Sequence, residues 1–344
     1  MVASIMRRHW MQSRRLINER IQHSAMPTLL ITGGAGFIGT HLTRIALTKG
    51  WQVRVLDNLS TTSLSKSKVL EELGAEVIVG DVREEGACLA AVENCEAVVH
   101  LAAQVSVPRS MEYPEETFEV NVEGTANLLN ACKTHGVNRF VMASSAAVYG
   151  NSEMNPLEEQ HAGKFHSPYA DSKWQNEQQV MDAKKAGMDA VALRLFNVYG
   201  AGQSHRGTYA AVIPIFIDQT LKGEPATIFG DGLQTRDFVH VDDVSQAFLM
   251  LATEPWPQAL EPVYNVCTET EISMLEVLDR IHSVLKDVAP DTHRFAPNHE
   301  AARAGDIGRS VGSNKRLTRD TAWRPNIKFQ NGLHQQILRQ IKDA

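Results

Sequence analysis

Leu29-Leu30-Ile31-Thr32-Gly33-Gly34-Ala35-Gly36-Phe37-Ile38-Gly39 is the stretch whose reading decides the fold. Its apolar opening reads as a buried strand that breaks into glycines at Gly33, Gly36 and Gly39. An amphipathic segment follows, with Ile38, Leu42, Ile45 and Ala46 on one face. Strand, tight turn and helix start, in that order, make a seat for a pyrophosphate. Glycines let the backbone turn sharply and approach the phosphates, while the N–H groups and dipole of the helix end meet the negative charge. The spacing is G-x-x-G-x-x-G rather than the commoner G-x-G-x-x-G, and the same glycines also suit a plain strand–helix connection. Asp57 decides between the two, because it closes a second apolar strand, Gln52–Leu56. A carboxylate there accepts from a ribose 2′-hydroxyl and repels a 2′-phosphate, which selects NAD over NADP. Gly33, Gly36, Phe37, Ile38, Gly39, Asp57 and Asn58 are accordingly expected to contact the cofactor.

Outward from this unit the pattern repeats. A helix is expected up to Gly74, then a strand over Ala75–Val79 ending at Gly80-Asp81-Val82. Asp81 suits an adenine amino group or the cap of the next helix, and the two readings are compatible. Ala97–Ala103 reads as a fourth strand, whose end at Leu101-Ala102-Ala103 lets a dinucleotide pass close to the backbone. Pro108–Lys133 reads as one long helix interrupted near Tyr113-Pro114, with Phe118, Asn121, Thr125, Leu128 and Cys132 at helical spacing. The next strand, Arg139–Ala143, runs into Ser144-Ser145. Such alternation predicts an α/β fold with a doubly wound parallel sheet, whose ligands lie beyond the carboxyl ends of the strands. The organisation expected is a nucleotide-binding domain over 26–194, to which 236–267 returns. A smaller mixed α/β substrate domain is expected over 195–235 and 268–344. Tyr264-Asn265-Val266 reads as a last sheet strand and Ile272–Leu285 as a helix.

The bulk composition narrows the function classes. The chain has 344 residues, 43% hydrophobic and 22% charged, with a net charge of −6 that gives no reason to expect a nucleic-acid partner. No apolar run reaches the roughly 18 residues a membrane span needs. Cys88, Cys95, Cys132 and Cys267 show neither C-x-x-C spacing nor the density of a disulfide framework, which fits reduced thiols in a cytoplasmic enzyme. No metal site is expected. Residues 1–25 carry five arginines against one acid and read as a basic, disordered extension or a targeting segment.

Tyr169 and Lys173 stand four apart at a helix start, so their side chains share a face. A phenol is a poor base at neutral pH, with an ordinary pKa of about 10. A neighbouring cation favours the phenolate. Y-x-x-x-K alone is a common accident, but Ser145 ends a strand that emerges in the same crevice, where its hydroxyl can relay a proton to Tyr169.

Together Thr32–Gly39, Asp57-Asn58-Leu59, Ser144–Gly150 and Tyr169…Lys173 resemble the extended short-chain dehydrogenase/reductases, and specifically the UDP-sugar 4-epimerases. The resemblance runs from about Met26 to the C-terminus. It implies Tyr169 as general base, Ser145 as hydrogen-bond relay, Lys173 as the cation that positions the cofactor, and Asn121 as a polar residue near the site. It places Ser106, Asn197, Gln203, Ala211 and Val212 at the sugar nucleotide, with Arg236 and Arg303 on the diphosphate, where a guanidinium can bind in a bidentate fork. A position seven residues past Arg303 faces the sugar C2 substituent. Here it is the small Ser310, which implies UDP-GlcNAc/UDP-GalNAc with UDP-Glc/UDP-Gal as a second pair. UDP-glucuronic and UDP-N-acetylglucosaminuronic acids remain alternatives. Ala146-Ala147 stand where dehydratases and decarboxylases of the superfamily carry an acid. The implied reaction inverts C4 through a transient 4-keto sugar, in a homodimer joined by a four-helix bundle. A redox enzyme that releases NADH, or a non-catalytic NAD-binding protein, are the competing classes.

Overall fold

The computed structural model describes residues 26–163, 165–204, 211–256, 260–302 and 307–343. The basic extension over 1–25 and Arg303 lie outside the described residues. The first half alternates β1 (Thr28–Thr32), α1 (Phe37–Thr48), β2 (Gln52–Asp57), α2 (Leu64–Glu72), β3 (Glu76–Val79), α3 (Glu85–Val92) and β4 (Ala97–His100). A broken helical stretch follows: α4 (Val107–Glu112), α5 (Pro114–Phe118), a π-helical turn over Glu119–Glu123, and α6 (Gly124–His135). Then come β5 (Arg139–Ser145), α7 (Pro168–Lys185), β6 (Asp189–Leu195), β7 (Asn197–Tyr199), α8 (Val212–Leu221), β8 (Thr227–Phe229), β9 (Thr235–His240) and α9 (Val241–Thr253). The chain ends with β10 (Val263–Val266), β11 (Glu271–Ser273), α10 (Met274–Val288), β12 (Asn298–Glu300), β13 (Arg309–Ser310), α11 (Lys315–Asp320) and α12 (Phe329–Asp343).

Seven strands form one sheet in the order β10–β6–β5–β4–β1–β2–β3, every pair parallel. The order reverses between β1 and β4, and the crevice at that reversal is where such sheets bind ligands. Leu29, Leu30 and Ile31 are all fully buried because each face of the sheet is covered. Side chains alternate: Leu29 and Ile31 meet Leu42, Ala46, Val244 and Phe248 of α1 and α9 on one face. Leu30 meets Cys88, Ala91, Leu128 and Val180 of α3, α6 and α7 on the other.

A second sheet is built round β9, flanked by antiparallel β11 and parallel β13 and β7, with β12 and β8 pairing separately. Of the segment 236–267, expected to return to the nucleotide-binding domain, β9 lies in this second sheet and α9 packs on α1. The helix expected from Ile272 also starts later. Ile272 pairs with Arg236 in the β11–β9 ladder. Ser273 then caps α10, its Oγ accepting from Glu276 N at 3.2 Å while the Glu276 carboxylate accepts from Ser273 N at 2.8 Å. The helical stretch expected over Pro108–Lys133 is interrupted at Pro114, as its sequence implies, because Pro114 has no N–H to continue α4, and it also loosens into a π-turn around Asn121.

Candidate active site

The turn between β1 and α1 is close to the tightest a chain can make. Gly33 has φ 66°, and a Cβ there would lie 2.7 Å from Ala102 N. A Cβ on Gly39 would overlap the Gly33 carbonyl. Gly36 is the cap residue of α1 and offers no side-chain acceptor, so the first N–H groups of the helix, at Phe37 and Ile38, face outward from a bare backbone. The Asp57 carboxylate holds the turn from β2, accepting from Ala35 N at 2.9 Å and Leu59 N at 2.8 Å. An ionised carboxylate has about four acceptor positions. Two remain for ribose hydroxyls. A glycine cradle, an uncapped helix start and a part-used acid fit NAD.

At the expected adenine end, Asp81 is bound within the chain. Asp81 accepts from Asn58 Nδ2 at 2.9 Å and from Arg83 through N, Nε and Nη2 at 2.8–3.0 Å. The Arg83 guanidinium holds this carboxyl down at about 2. With its acceptor positions taken, Asp81 meets an adenine amino group only in competition with Arg83. Nor is it the helix cap, since Glu84 has that position before α3. Val82 is core, packed on Gly124, while Leu101, Ala102 and Ala103 form an irregular segment in which Ala102 N donates to Thr32 Oγ1 at 3.2 Å.

Ser145 closes β5, opposite Leu195 of β6. Tyr169 sits in the first turn of α7, which Pro168 opens and Ser167 caps, its Oγ accepting from Ala170 N at 3.1 Å. This brings the Tyr169 hydroxyl close enough to Ser145 for the serine to favour the phenolate. One turn on, Lys173 is 4% exposed and donates from Nζ to the Ala143 carbonyl at 3.0 Å. Burial pushes the Tyr169 phenol up, and the nearby Ser145 hydroxyl offsets part of that rise. The expected lysine-assisted lowering is not present in this geometry, because the ammonium is spent on a backbone carbonyl and burial dominates. Lys173 is itself lowered to about 8 by burial, partly opposed by Glu177.

Two buried features carry no local sequence signal that was read. Glu177, fully buried, accepts from Arg194 Nε at 2.8 Å and Nη2 at 2.7 Å and from Ser144 Oγ at 2.5 Å. It continues the four-residue spacing of Tyr169 and Lys173, which would have exposed it. His100, 3% exposed, bridges Thr32 and Thr125. Asn121 in the π-turn accepts from Gln104 N at 2.8 Å and donates to Gln104 O and to Ser172 Oγ. It fastens the segment after β4 to α7.

Two residues after Leu195, Asn197 opens into a cavity of about 560 Å³ that is lined also by Val105, Gln203, Ala211, Val212, Phe229 and Arg236. Asn197 Nδ2 donates to Asp237 O at 3.2 Å, and Arg236 Nη1 donates to the Thr235 and Ile307 carbonyls at 2.8 and 2.6 Å. Gln203 Nε2 donates to Val198 O, and its buried Oε1 has no partner among the described residues. Ser106 and Ser310 do not line this cavity. Ser106 caps α4, accepting from Arg109 N at 3.1 Å. Ser310, 7% exposed, lies beside Arg236 in the β13–β9 register. Among the described residues no His, Cys, Asp and Glu side chains converge as metal ligands, and no helix is long and apolar enough to cross a membrane.

The model of the NAD dependent epimerase/dehydratase family matches residues 29–267. A putative UDP-glucose 4-epimerase of Methanocaldococcus jannaschii is 34% identical over 308 residues, covering 89% of this chain and 95% of its relative. Among solved structures, a UDP-N-acetylglucosamine 4-epimerase from Methanobrevibacter ruminantium, in complex with UDP-N-acetylmuramic acid, superposes with a TM-score of 0.86 at 30% identity, over 93% of this chain and 99% of that one. The Thermus thermophilus UDP-glucose 4-epimerase in complex with NAD superposes with a TM-score of 0.79 at 35% identity, over 92% and 100% of the two chains. The crevice at the strand reversal, the glycine cradle and these likenesses lead to one conclusion: the chain belongs to the NAD-dependent epimerase/dehydratase family, with NAD as its cofactor.

Proposed function

We propose that this chain is a UDP-sugar 4-epimerase that interconverts UDP-GlcNAc and UDP-GalNAc, with UDP-Glc and UDP-Gal as a second pair. The observation that carries the reading is the placement of Ser145 at the carboxyl end of β5, with Tyr169 in the first turn of α7 beside it and Lys173 buried one turn further on. Arg236 and Asn197, in the adjoining cavity, are the groups for a sugar diphosphate. NAD, when bound in the crevice, supplies the reversible two-electron oxidant. Tyr169 removes the proton from the C4 hydroxyl, Ser145 holds that oxygen by its hydroxyl, and Lys173 is the cation that positions the cofactor beside them. After the keto sugar turns over and C4 is reduced on its other face, the same phenol returns the proton to the C4 oxygen. Ala146-Ala147 offer no acid for expelling water from the sugar, which favours epimerisation over dehydration.

Support for the N-acetylated pair is the small Ser310 beside Arg236. The test is incubation of the NAD-loaded protein with UDP-Glc, UDP-GlcNAc and UDP-GlcA in turn, with the product sugars read by NMR. The expected result is inversion at C4 for the first two, faster for UDP-GlcNAc. Turnover of UDP-GlcA alone would overturn the substrate assignment. We further propose a homodimer in which the helices around Pro108–Lys133 (the α4–α6 stretch) and α7 of two copies form a four-helix bundle. Light scattering should give twice the mass of the 38.0 kDa chain, and a monomer would refute it.

A further inference from the structure

His100 ends β4 between Thr32 of β1 and Thr125 of α6, in a place the chemistry above does not use. Its Nδ1 is 2.7 Å from Thr32 Oγ1 and its Nε2 is 3.0 Å from Thr125 Oγ1. A hydroxyl can donate or accept, so the tautomer is decided one bond further out. Thr125 Oγ1 lies 2.6 Å from the Asn121 carbonyl, which can only accept, so the threonine hydrogen is committed there. Thr125 must then accept from His100, which puts the ring hydrogen on Nε2. Nδ1 is left as a lone pair to which Thr32 donates, and Thr32 Oγ1 in turn accepts the Ala102 N–H at 3.2 Å. The bonds therefore run one way, from Ala102 through Thr32, His100 and Thr125 to Asn121.

The two ends of this chain matter. Ala102 is the backbone against which the Gly33 turn is pressed, closely enough that a single methyl on Gly33 would collide with it. At the other end, Asn176 of α7 donates to both Thr125 Oγ1 and Asn121 O, at 3.1 and 2.8 Å. Asn121 also donates to Ser172 Oγ at 2.9 Å, and Ser172 donates to the Tyr169 carbonyl at 2.8 Å. We propose that His100, as the neutral Nε2–H tautomer, is a positioning residue that holds the glycine-rich cofactor turn in register with the helix carrying Tyr169. Charging the ring would place a donor against Ala102's side of the chain, where Thr32 would have to reverse its hydroxyl. Burial, with Lys173 nearby, keeps the ring neutral by lowering it to about 3.

The structural half of this inference is independent of the epimerase reading, and only its kinetic half rests on it. The test uses the full-length NAD-loaded protein labelled with ¹⁵N-histidine, with His100→Gln identifying the resonance. The expected signal is a neutral Nε2–H ring that does not move between about pH 8 and pH 6, the range in which a free histidine titrates. An Nδ1–H tautomer or an imidazolium at neutral pH would overturn the proposal. In kinetics, His100→Gln keeps one acceptor and one donor side by side and should hold kcat within about threefold, whereas His100→Leu should lower kcat by about ten- to a hundredfold with KM for the UDP-sugar unchanged. The leucine variant should also release NAD faster on gel filtration, which is read without any sugar. Wild-type kcat and NAD retention in His100→Leu, or equal losses in both variants, would overturn it. Should His100→Leu not fold, the wild-type spectrum and the His100→Gln kinetics still decide.

Discussion

Replacing Glu177 by Gln isolates the buried charge cluster behind the catalytic helix. The native carboxylate is fully buried and takes two hydrogen bonds from Arg194, at 2.8 and 2.7 Å, and one from Ser144. Arg194 is equally enclosed, its side chain 3% exposed, and its Nη1 is already committed to Tyr149 Oη and Glu159 O. Glutamine keeps the shape but turns one acceptor into an NH₂ that faces an Arg194 donor. It also leaves Arg194 and Lys173 as two buried cations without their anion. Breaking one partner of a buried pair costs about 3–5 kcal/mol, and that is the loss expected here in urea unfolding at fixed NAD concentration. A second readout follows from Lys173. Glu177 raises the lysine that burial holds near 8. Without it the ammonium loses its proton at lower pH, so the alkaline limb of kcat/KM should move to lower pH. A stability loss below about 1 kcal/mol, or an alkaline limb that stays in place, would refute the reasoning.

Tyr169→Phe should lower kcat by about 10²–10⁴-fold, the scale of a lost general acid–base, while bound NAD per subunit stays unchanged; near-normal turnover would remove Tyr169 from its role. Ser310→Tyr should suppress UDP-GlcNAc more than UDP-Glc by about tenfold or more in kcat/KM; equal losses would defeat the pocket reading. Asp81→Asn tests the acid side. The Arg83 bond holds Asp81 near 2 in the folded chain, below the ordinary 3.8, so the unfolded chain takes up the proton first as pH falls. The contribution is complete above the ordinary value and fades toward the folded one. Discounted for screening at the half-exposed Arg83, it is about 1 kcal/mol. The variant should show a flatter acid limb in unfolding, and an unchanged limb would contradict it.

The β1–turn–α1 unit was readable because its determinants lie close together in the chain: an apolar run, glycines at 33, 36 and 39, the helix face from Ile38 to Ala46, and Asp57 at the end of the next strand. Tyr169 and Lys173 were readable for the same reason, being one helical turn apart. What escaped depends on partners far along the chain. Arg194 in an apolar strand looks anomalous until Glu177 is placed beside it, and His100 looks like an ordinary strand residue until Thr32 and Thr125 arrive from β1 and α6. Asp81 shows the converse. Its place at a strand end was clear, but Arg83, two residues on, occupies it. That β9 joins the second sheet was not legible, because a strand pattern says nothing about which neighbours it will find. The π-turn at Asn121 was invisible because its spacing departs from the helical period by a single residue.

The most direct measurement of the central claim follows a deuterium atom at C4 of UDP-GlcNAc through turnover by the purified, NAD-loaded protein. The account predicts UDP-GalNAc that keeps the deuterium at C4, with no net rise in the absorbance of reduced nicotinamide. Loss of the label to solvent, stoichiometric accumulation of NADH, or unchanged C4 stereochemistry in every UDP-sugar offered would contradict it.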